Sequence, residues 1–329
     1  MDASIIIPAY NSQKTIKGCI EALQNQIFDG DYEIIVVDDG STDETAKIAK
    51  SSGAKVILQS NSGPAKARNA GARKAKCKIF VFTDSDCIAQ KNWLSEMLSP
   101  FKDPKVVGVQ GAYKTEQKSL LARFSQIEIE ERYELMKKAD QLDWIGSYSA
   151  AYRKEDFFEA GGFDESFPKA SGEDPELSYK ISKKGKKLVF NPNAIVLHTH
   201  PDTLEKYLKT KYYRAFYRVD LYSKHKDKIV KDSYTTFEIK LQIISSYAGT
   251  IFFFLSLALI YFRYEFYGFV ALAISTGFTI IGFASGLKFT LFAIQRDFWA
   301  GIFSLLAVPL RTTVFSLGLI AGYIRKVLK

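Results

Sequence analysis

Two runs of 22 residues, Leu241–Phe262 and Phe266–Leu287, contain no charged side chain. About 20 apolar residues suffice for a helix to cross the hydrocarbon core of a bilayer. Only Arg263-Tyr264-Glu265 separates the runs, so the spacing predicts a tight pair of membrane helices. A third apolar stretch, Phe298–Tyr323, holds Pro309 and Arg311 near its middle. Arginine at the centre of a span is costly, so both an interfacial or re-entrant helix and a third span stay open for it. The residues before 240 are mixed and charged. The chain therefore divides into a soluble domain at 1–200, a basic and aromatic interfacial linker at 201–240, and a membrane anchor at 241–329.

The soluble part alternates two patterns. Short β-rich runs stand at Ser4–Ile7, Glu33–Val37, Lys55–Leu58, Ile79–Thr83 and Val106–Tyr113. Helical patterns lie between them. Ile16, Ile20, Leu23 and Ile27 recur on one face. Ser41 or Thr42 is placed to cap a second helix ending near Gly53, and a third starts at Pro64 and runs to Ala75. Residues 116–143 and 203–224 read as further helices. Alternating strand and helix predicts an α/β fold, a mixed and mostly parallel sheet with helices on both faces. In such sheets ligands sit beyond the carboxyl ends of the strands.

Carboxylates stand at those ends. Ile79–Thr83 runs into Asp84-Ser85-Asp86, and two carboxylates one residue apart can face one hard cation, Mg²⁺ or Mn²⁺, that bridges to a diphosphate. Glu33–Val37 runs into Asp38-Asp39-Gly40-Ser41-Thr42-Asp43, where one carboxylate can accept hydrogen bonds from a nucleotide base or ribose and others suit a helix start. The first strand ends in Pro8-Ala9-Tyr10-Asn11, with Tyr10 placed to line a base pocket. Arg68 and Asn69 sit inside the third helix, and arginine offers a planar set of donors suited to phosphate or carboxylate. Lys66, Arg73 and Lys74 read as its solvated face.

In combination these segments resemble glycosyltransferase family 2: the Pro-x-Tyr-Asn start, Val-Val-Asp-Asp-Gly-Ser-Thr-Asp, Gly-x-x-x-Ala-Arg-Asn-x-Gly, and Asp-Ser-Asp. The likeness extends to Trp144–His200. It implies the GT-A fold and inverting, metal-dependent transfer from a UDP- or GDP-type sugar, with Mn²⁺ or Mg²⁺ as cofactor. On this likeness Asp39 contacts the nucleotide, Asp84 and Asp86 handle ribose and metal, and Arg68 and Asn69 shape the donor pocket. Gly172-Glu173-Asp174-Pro175 is similar to the family's Glu-Asp motif before a helix. An inverting displacement needs one base; Asp174 is the choice and Glu173 its competitor. His198, after the apolar run Ala194–Leu197, stands where some GT-A enzymes bring a histidine to the metal or diphosphate. Trp144–Tyr148 is expected on the acceptor side. Processive members carry Gln-x-x-Arg-Trp where this chain has Lys211-Tyr212-Tyr213-Arg214-Ala215, which points to addition of a single sugar.

The net charge of +9 invites a nucleic-acid reading. Its location argues otherwise. From Lys206 to Lys231 there are nine Lys or Arg against two acidic residues, interleaved with tyrosine and phenylalanine, next to the apolar runs. That pattern suits lipid headgroups, so membrane lipids and a lipid-linked or glycan acceptor are the expected partners and nucleic acid is not. Lys224, Lys226, Lys228 and Lys231 before the runs, with Arg325, Lys326 and Lys329 after them, fit a cytoplasmic catalytic domain if two helices span. The expected location is therefore the cell membrane, multi-pass. The start, Met1-Asp2-Ala3-Ser4, has no signal-peptide character, and Cys19, Cys77 and Cys87 match no zinc or disulfide spacing. Two rivals remain: a polyprenyl-phosphate glycosyl synthase, and a noncatalytic membrane protein that binds nucleotide sugars or glycans.

Overall fold

The computed structural model describes residues 2–167, 172–229 and 232–328. Lys231 and Lys329 of the basic pattern lie outside the described residues. By its contacts the chain falls into two compact units. One comprises Met1–Gln117, Tyr133–His200 and Leu221–Tyr234; the other comprises Lys118–Arg132, Pro201–Asp220 and Thr235–Lys329.

The first unit is an α/β domain. Its elements are β1 (Ala3–Ala9), α1 (Ile16–Gln24), β2 (Tyr32–Asp38), α2 (Thr45–Ser51), β3 (Lys55–Leu58), α3 (Pro64–Lys74), β4 (Ile79–Thr83), β5 (Ile88–Ala89), α4 (Trp93–Leu98), β6 (Val106–Lys114), the end of α5 (Leu120–Lys137), β7 (Ser149–Arg153), α6 (Lys154–Glu159), α7 (Glu173–Lys183) and β8 (Lys187–Leu197). Eight strands form one sheet in the order β3-β2-β1-β4-β7-β6-β8-β5. Ile5, Ile6, Ile7, Val36, Val37, Val81 and Phe82 are fully buried, as expected of strands covered on both faces.

Strand direction places the site. β3, β2, β1 and β4 are mutually parallel, so β1, β2 and β4 all end at one edge of the sheet. β7 is antiparallel to β4, with Thr83 opposite Ser149, and therefore begins at that edge. β6 is antiparallel to β7 and parallel to β8, which brings Lys114 and Leu197 to the same edge. Finally β5 pairs Ile88 with Leu197 and closes the arrangement.

Two local expectations are corrected. Neither Ser41 nor Thr42 caps α2: the helix starts at Thr45 behind Glu44, and the Ser41 hydroxyl is bonded to Asp38 instead. Ile27 does not extend the apolar face of α1, because the helix stops at Gln24 and Ile27 is exposed.

The second unit is helical. It contains the first part of α5, most of α8 (Leu204–Lys224), α9 (Phe237–Tyr261), α10 (Glu265–Ile294) and α11 (Phe298–Val327). By length and composition α9, α10 and α11 are each able to cross a membrane. α9 and α10 form a hairpin that turns at Arg263, where φ is +67°. α11 is one continuous helix despite Pro309. Its first half packs on α10, with Thr290 and Ser304 hydroxyls 2.8 Å apart. Its second half packs along α8: a side chain at Gly318 would lie 2.4 Å from the Tyr212 carbonyl and one at Gly322 2.3 Å from that of Phe216, so only glycine permits this approach. Arg325 and Asp220 pair across the same contact.

Arg311, the residue that argued against a span, is not left bare. Its guanidinium bonds Glu128 on α5 at 2.5 Å and Gln242 on α9 at 3.0 Å. The other oxygen of Glu128 accepts from Lys211 and Tyr207, both at 2.9 Å. Burial alone would raise the Glu128 pKa, but Lys211 and Arg311 hold it well below the usual carboxylate range. A buried charge persists when it is paired and hydrogen-bonded in this way.

Candidate active site

Arg68 is the hub of the site. It projects from α3, is 3% exposed, and lies over the ring of Phe163. One guanidinium nitrogen donates to Asp84 at 2.8 Å; the other donates to Glu173 at 3.0 Å and stands 4.0 Å from Asp174. Burial alone would disfavour the charged form, yet Asp84, Asp174 and Glu173 raise the Arg68 pKa above its ordinary value. One side chain thus joins the end of β4 to the first turn of α7, segments about 90 residues apart in sequence.

The two carboxylates of α7 are held differently. Glu173 is 1% exposed, with one oxygen on Arg68 and the other accepting from the Gly172 amide at 3.1 Å. Asp174 accepts from the Ser147 amide at 3.1 Å through Oδ2, and its Oδ1 has no hydrogen-bond partner among the described residues. Loss of water, reinforced by Glu173, pushes the Asp174 carboxyl well above the usual carboxylate range, toward neutrality, with Arg68 opposing. Ser178 ties the helix to the preceding loop through the Ile145 amide, and Gln110 accepts from the Gly146 amide. Residues 144–148 are therefore fixed against the start of α7.

Asp84, Asp86 and Cys87 gather ligand atoms within 4.8 Å of one another. His198 joins them because β8 pairs with β5: its Nε2 lies 3.6 Å from Asp86 Oδ2. Partial removal from water raises the Asp86 pKa, His198 lowers it, and Asp84 raises it. The Cys87 thiol is pushed well above its ordinary value by burial and the neighbouring carboxylates, and hard cations prefer oxygen ligands to a thiol. Two carboxylates and one imidazole make a donor set whose oxygens suit Mg²⁺ or Mn²⁺. Ser85 bonds Ser12 across the same edge at 2.8 Å.

The remaining expected residues fall into two groups. Asp38 and Asp39 are buried at the end of β2. Asp38 accepts from Ser41. Asp39 accepts from Gln59 at 2.6 Å and from the Ser62 and Gly63 amides at 2.9 and 2.8 Å, which leaves part of its acceptor capacity open. Pro8 and Ala9 offer main chain only, the Ala9 carbonyl receiving the Asp39 amide at 2.8 Å. Tyr10 is half exposed at the rim. Asn11, at φ +49°, clamps the loop after β2 through Ser41 and Thr42, both at 2.9 Å. Asn69 points away from this edge group: its amide bonds both main-chain groups of Phe163, at 2.7 and 3.0 Å, and Glu165. Lys66, Arg73 and Lys74 are exposed, as their pattern implied.

The sequence did not single out Tyr113. It is the next-to-last residue of β6 and stacks at 3.5 Å between ring centroids on Tyr148 and at 4.5 Å on His198. Tyr133 donates or accepts with Tyr148 at 3.0 Å and receives the Tyr113 amide at 2.6 Å. The rule of strand ends would have found Tyr113, since it closes an expected strand; its stacking partners come from far along the chain. Trp144 lies instead in a separate cluster with Phe167, Tyr179 and Leu221, stacked on Tyr234.

Comparison with known proteins agrees with this architecture. The family described as Glycosyl transferase family 2 matches residues 4–161. The pre-mycofactocin glycosyltransferase of Mycobacterium tuberculosis is 27% identical over 237 residues, covering 69% of this chain and 49% of that protein. The validoxylamine A glucosyltransferase of Streptomyces hygroscopicus subsp. limoneus is 28% identical over 217 residues, covering 55% of this chain and 48% of that protein. The chain spans about half the length of these curated relatives. Among solved structures, the mannosyltransferase PcManGT from Pyrobaculum calidifontis, in complex with GDP-Man and Mn²⁺, is similar with a TM-score of 0.59 at 19% identity, covering 99% of this chain and 86% of that one. S. aureus TarS 1-349 is similar with a TM-score of 0.50 at 20% identity, covering 99% and 92%. These structural likenesses establish the fold.

Proposed function

We propose, from the premise that this chain carries a glycosyltransferase family 2 domain, that it transfers one sugar from a nucleoside-diphosphate sugar to a lipid-linked or glycan acceptor, with inversion and with a divalent cation. The observation that carries the reading is the Arg68 bridge between Asp84 and the Glu173–Asp174 pair, which sets a candidate cation site beside a carboxylate of raised pKa.

Asp84, Asp86 and His198 would hold Mn²⁺ or Mg²⁺. Bound there, the ion neutralises charge on the departing nucleoside diphosphate. Asp39 would use its open acceptor capacity on the base or ribose, beside Tyr10 and the Pro8–Ala9 main chain. Asp174 is the base. Its Oδ1 is the oxygen left open, whereas both oxygens of Glu173 are engaged. The acceptor oxygen forms its bond to the anomeric carbon as the bond to the diphosphate breaks; the electron pair leaves with the diphosphate, and the acceptor proton passes to Asp174. Tyr113 and Tyr148 offer a stacked aromatic face for the sugar or acceptor. We read α9 and α10 as spans and α11 as a helix that lies with the basic α8, since its second half packs there. The cationic residues before α9 then support a catalytic domain on the cytoplasmic side. PcManGT was solved with GDP-Man and Mn²⁺, which supports a search among GDP- and UDP-sugars.

The test is a panel of UDP- and GDP-sugars with Mn²⁺ or Mg²⁺ and membrane lipid extract, scored for nucleotide release and labelled lipid. Asp174→Asn is expected to lower turnover about 10²- to 10⁴-fold, the range for a lost general base, with donor affinity retained. Turnover at the wild-type rate would contradict the assignment.

A further inference from the structure

His198 stands just beyond β8, and β6 fixes its main chain. The two strands pair in parallel, with Tyr113 opposite Val196 and Lys114 opposite Leu197. The His198 amide donates to the Lys114 carbonyl at 2.8 Å. Two residues on, the His200 amide donates to the Gln117 side chain at 2.6 Å, which returns a bond to the His200 carbonyl at 3.1 Å.

A fixed main chain does not aim an imidazole. The second side-chain torsion of histidine is broad. An imidazole nitrogen binds a cation in the plane of its ring, so the orientation of the ring decides whether it can serve as a ligand. The Nε2–Asp86 distance of 3.6 Å is too long for a hydrogen bond to set that orientation. Neighbouring rings can set it. Tyr113 lies against Tyr148 at 3.5 Å between centroids and 15° between planes, and against His198 at 4.5 Å and 32°. A ring stacked at 3.5 Å leaves no room for a second ring on that face, so His198 covers the other face of Tyr113. The outer face of the tyrosine pair then belongs to Tyr148. His200 stands edge-on beside the stack, 5.3 Å from the His198 ring. Tyr113 itself is tied down, because its amide donates at 2.6 Å to the Tyr133 hydroxyl, which is 3.0 Å from that of Tyr148.

We propose that Tyr113 is a positioning residue for the cation site: stacked between Tyr148 and His198, it holds the His198 imidazole with Nε2 turned to Asp86. The proposal rests on the reading that Asp84, Asp86 and His198 hold the ion. It also joins the two sides of the site. Tyr148 ends the loop whose Ser147 amide bonds Asp174, so one stack of rings ties the ligand His198 to the loop that holds the base.

The experiment uses the full chain in detergent micelles, in excess over Mn²⁺, with the ion alone and with inorganic pyrophosphate, which carries no nitrogen. Electron spin echo spectroscopy of the bound ion detects a coordinated imidazole nitrogen, and loss of the free-ion resonance in the series without pyrophosphate gives the affinity. The wild type is expected to show the nitrogen and His198→Ala to lose it. Tyr113→Phe keeps the stack and is expected to keep both the nitrogen signal and the affinity. Tyr113→Leu keeps apolar bulk without a flat ring. It is expected to lose most of the nitrogen signal and to bind Mn²⁺ about two- to tenfold more weakly, the reach of one aromatic contact. Thermal unfolding shows which variants are folded. Should Tyr113→Leu fail to fold, Tyr148→Leu, which removes the ring behind Tyr113, is read instead with the same two outcomes. An undiminished nitrogen signal in the folded leucine variant overturns the proposal and leaves the cation reading standing. So does a loss in Tyr113→Phe equal to that in Tyr113→Leu, which would put the effect on the hydroxyl and not on the stack. A wild type that binds no Mn²⁺, or binds it without the nitrogen, overturns the proposal together with the place of His198 among the ligands.

Discussion

At the scale of single residues, the site depends on how three carboxylates share one guanidinium. Arg68 satisfies Asp84 and Glu173 directly and stands farther from Asp174, whose Oδ1 is left open in a place with little water. A buried carboxylate beside another carboxylate takes up a proton more readily. A base must be ionised to work, so activity is present above its pKa and lost below. kcat/KM is therefore expected to fall on acidification at a pH well above the ordinary carboxylate range, and this limb is expected to vanish in Asp174→Asn. A profile flat down to about pH 4.5, near the reference range for Asp and Glu, would contradict it. The sequence placed Asp174 and Glu173 as alternatives, and nothing in a linear motif separates them. What separates them is the partner of each oxygen, which depends on contacts with α3 and the loop before β7.

Among elements, the strands that supply the site were legible wherever a β-rich run ended in polar residues. β3 and β4 match their expected limits, and β1, β2 and β6 differ by one or two residues at an end. β5 and β7 were not legible. β5 has two residues, and β7, Ser-Ala-Ala-Tyr-Arg, lacks β-branched residues and is a strand because it fits between β4 and β6. Its insertion, with the antiparallel pairing of β5 on β8, makes the sheet mixed. The apolar helices run past the uncharged stretches, and Glu238 on α9 and Lys288 on α10, both outside those stretches, pair with each other. Asn69 shows a limit of motif reading. It holds the turn at Gly162, where φ is +68° and a side chain would meet Asn69 Oδ1 at 2.8 Å. Asn69→Ala removes these bonds and strands buried main-chain groups, at a cost of about 1–3 kcal/mol. Thermal unfolding is expected to show this loss; an unchanged melting temperature would contradict it.

For the whole molecule, composition separates the apolar runs of α9, α10 and α11 from the α/β part, whereas the helical unit also takes in the charged segments Lys118–Arg132 and Pro201–Asp220, and Leu221–Tyr234 belongs to the first unit. The polar seam of the helical unit was not foreseen. Arg311 reads alone as a defect in a span, and its partner Glu128 lies 183 residues earlier. Glu128→Leu leaves Arg311 and Lys211 buried without their carboxylate, a loss of about 3–5 kcal/mol for breaking a buried pair. Denaturation in detergent micelles is expected to report it, and stability equal to wild type would refute the pairing. The proposed reaction depends on the cation that Asp84, Asp86 and His198 would hold. The most direct measurement is the affinity of the purified chain for UDP and GDP by calorimetry, with Mn²⁺ and then with excess chelator, in wild type and Asp86→Asn. One nucleotide is expected to bind with Mn²⁺, chelator to weaken it at least tenfold, and Asp86→Asn to remove the difference. Equal affinity with and without the ion would contradict it.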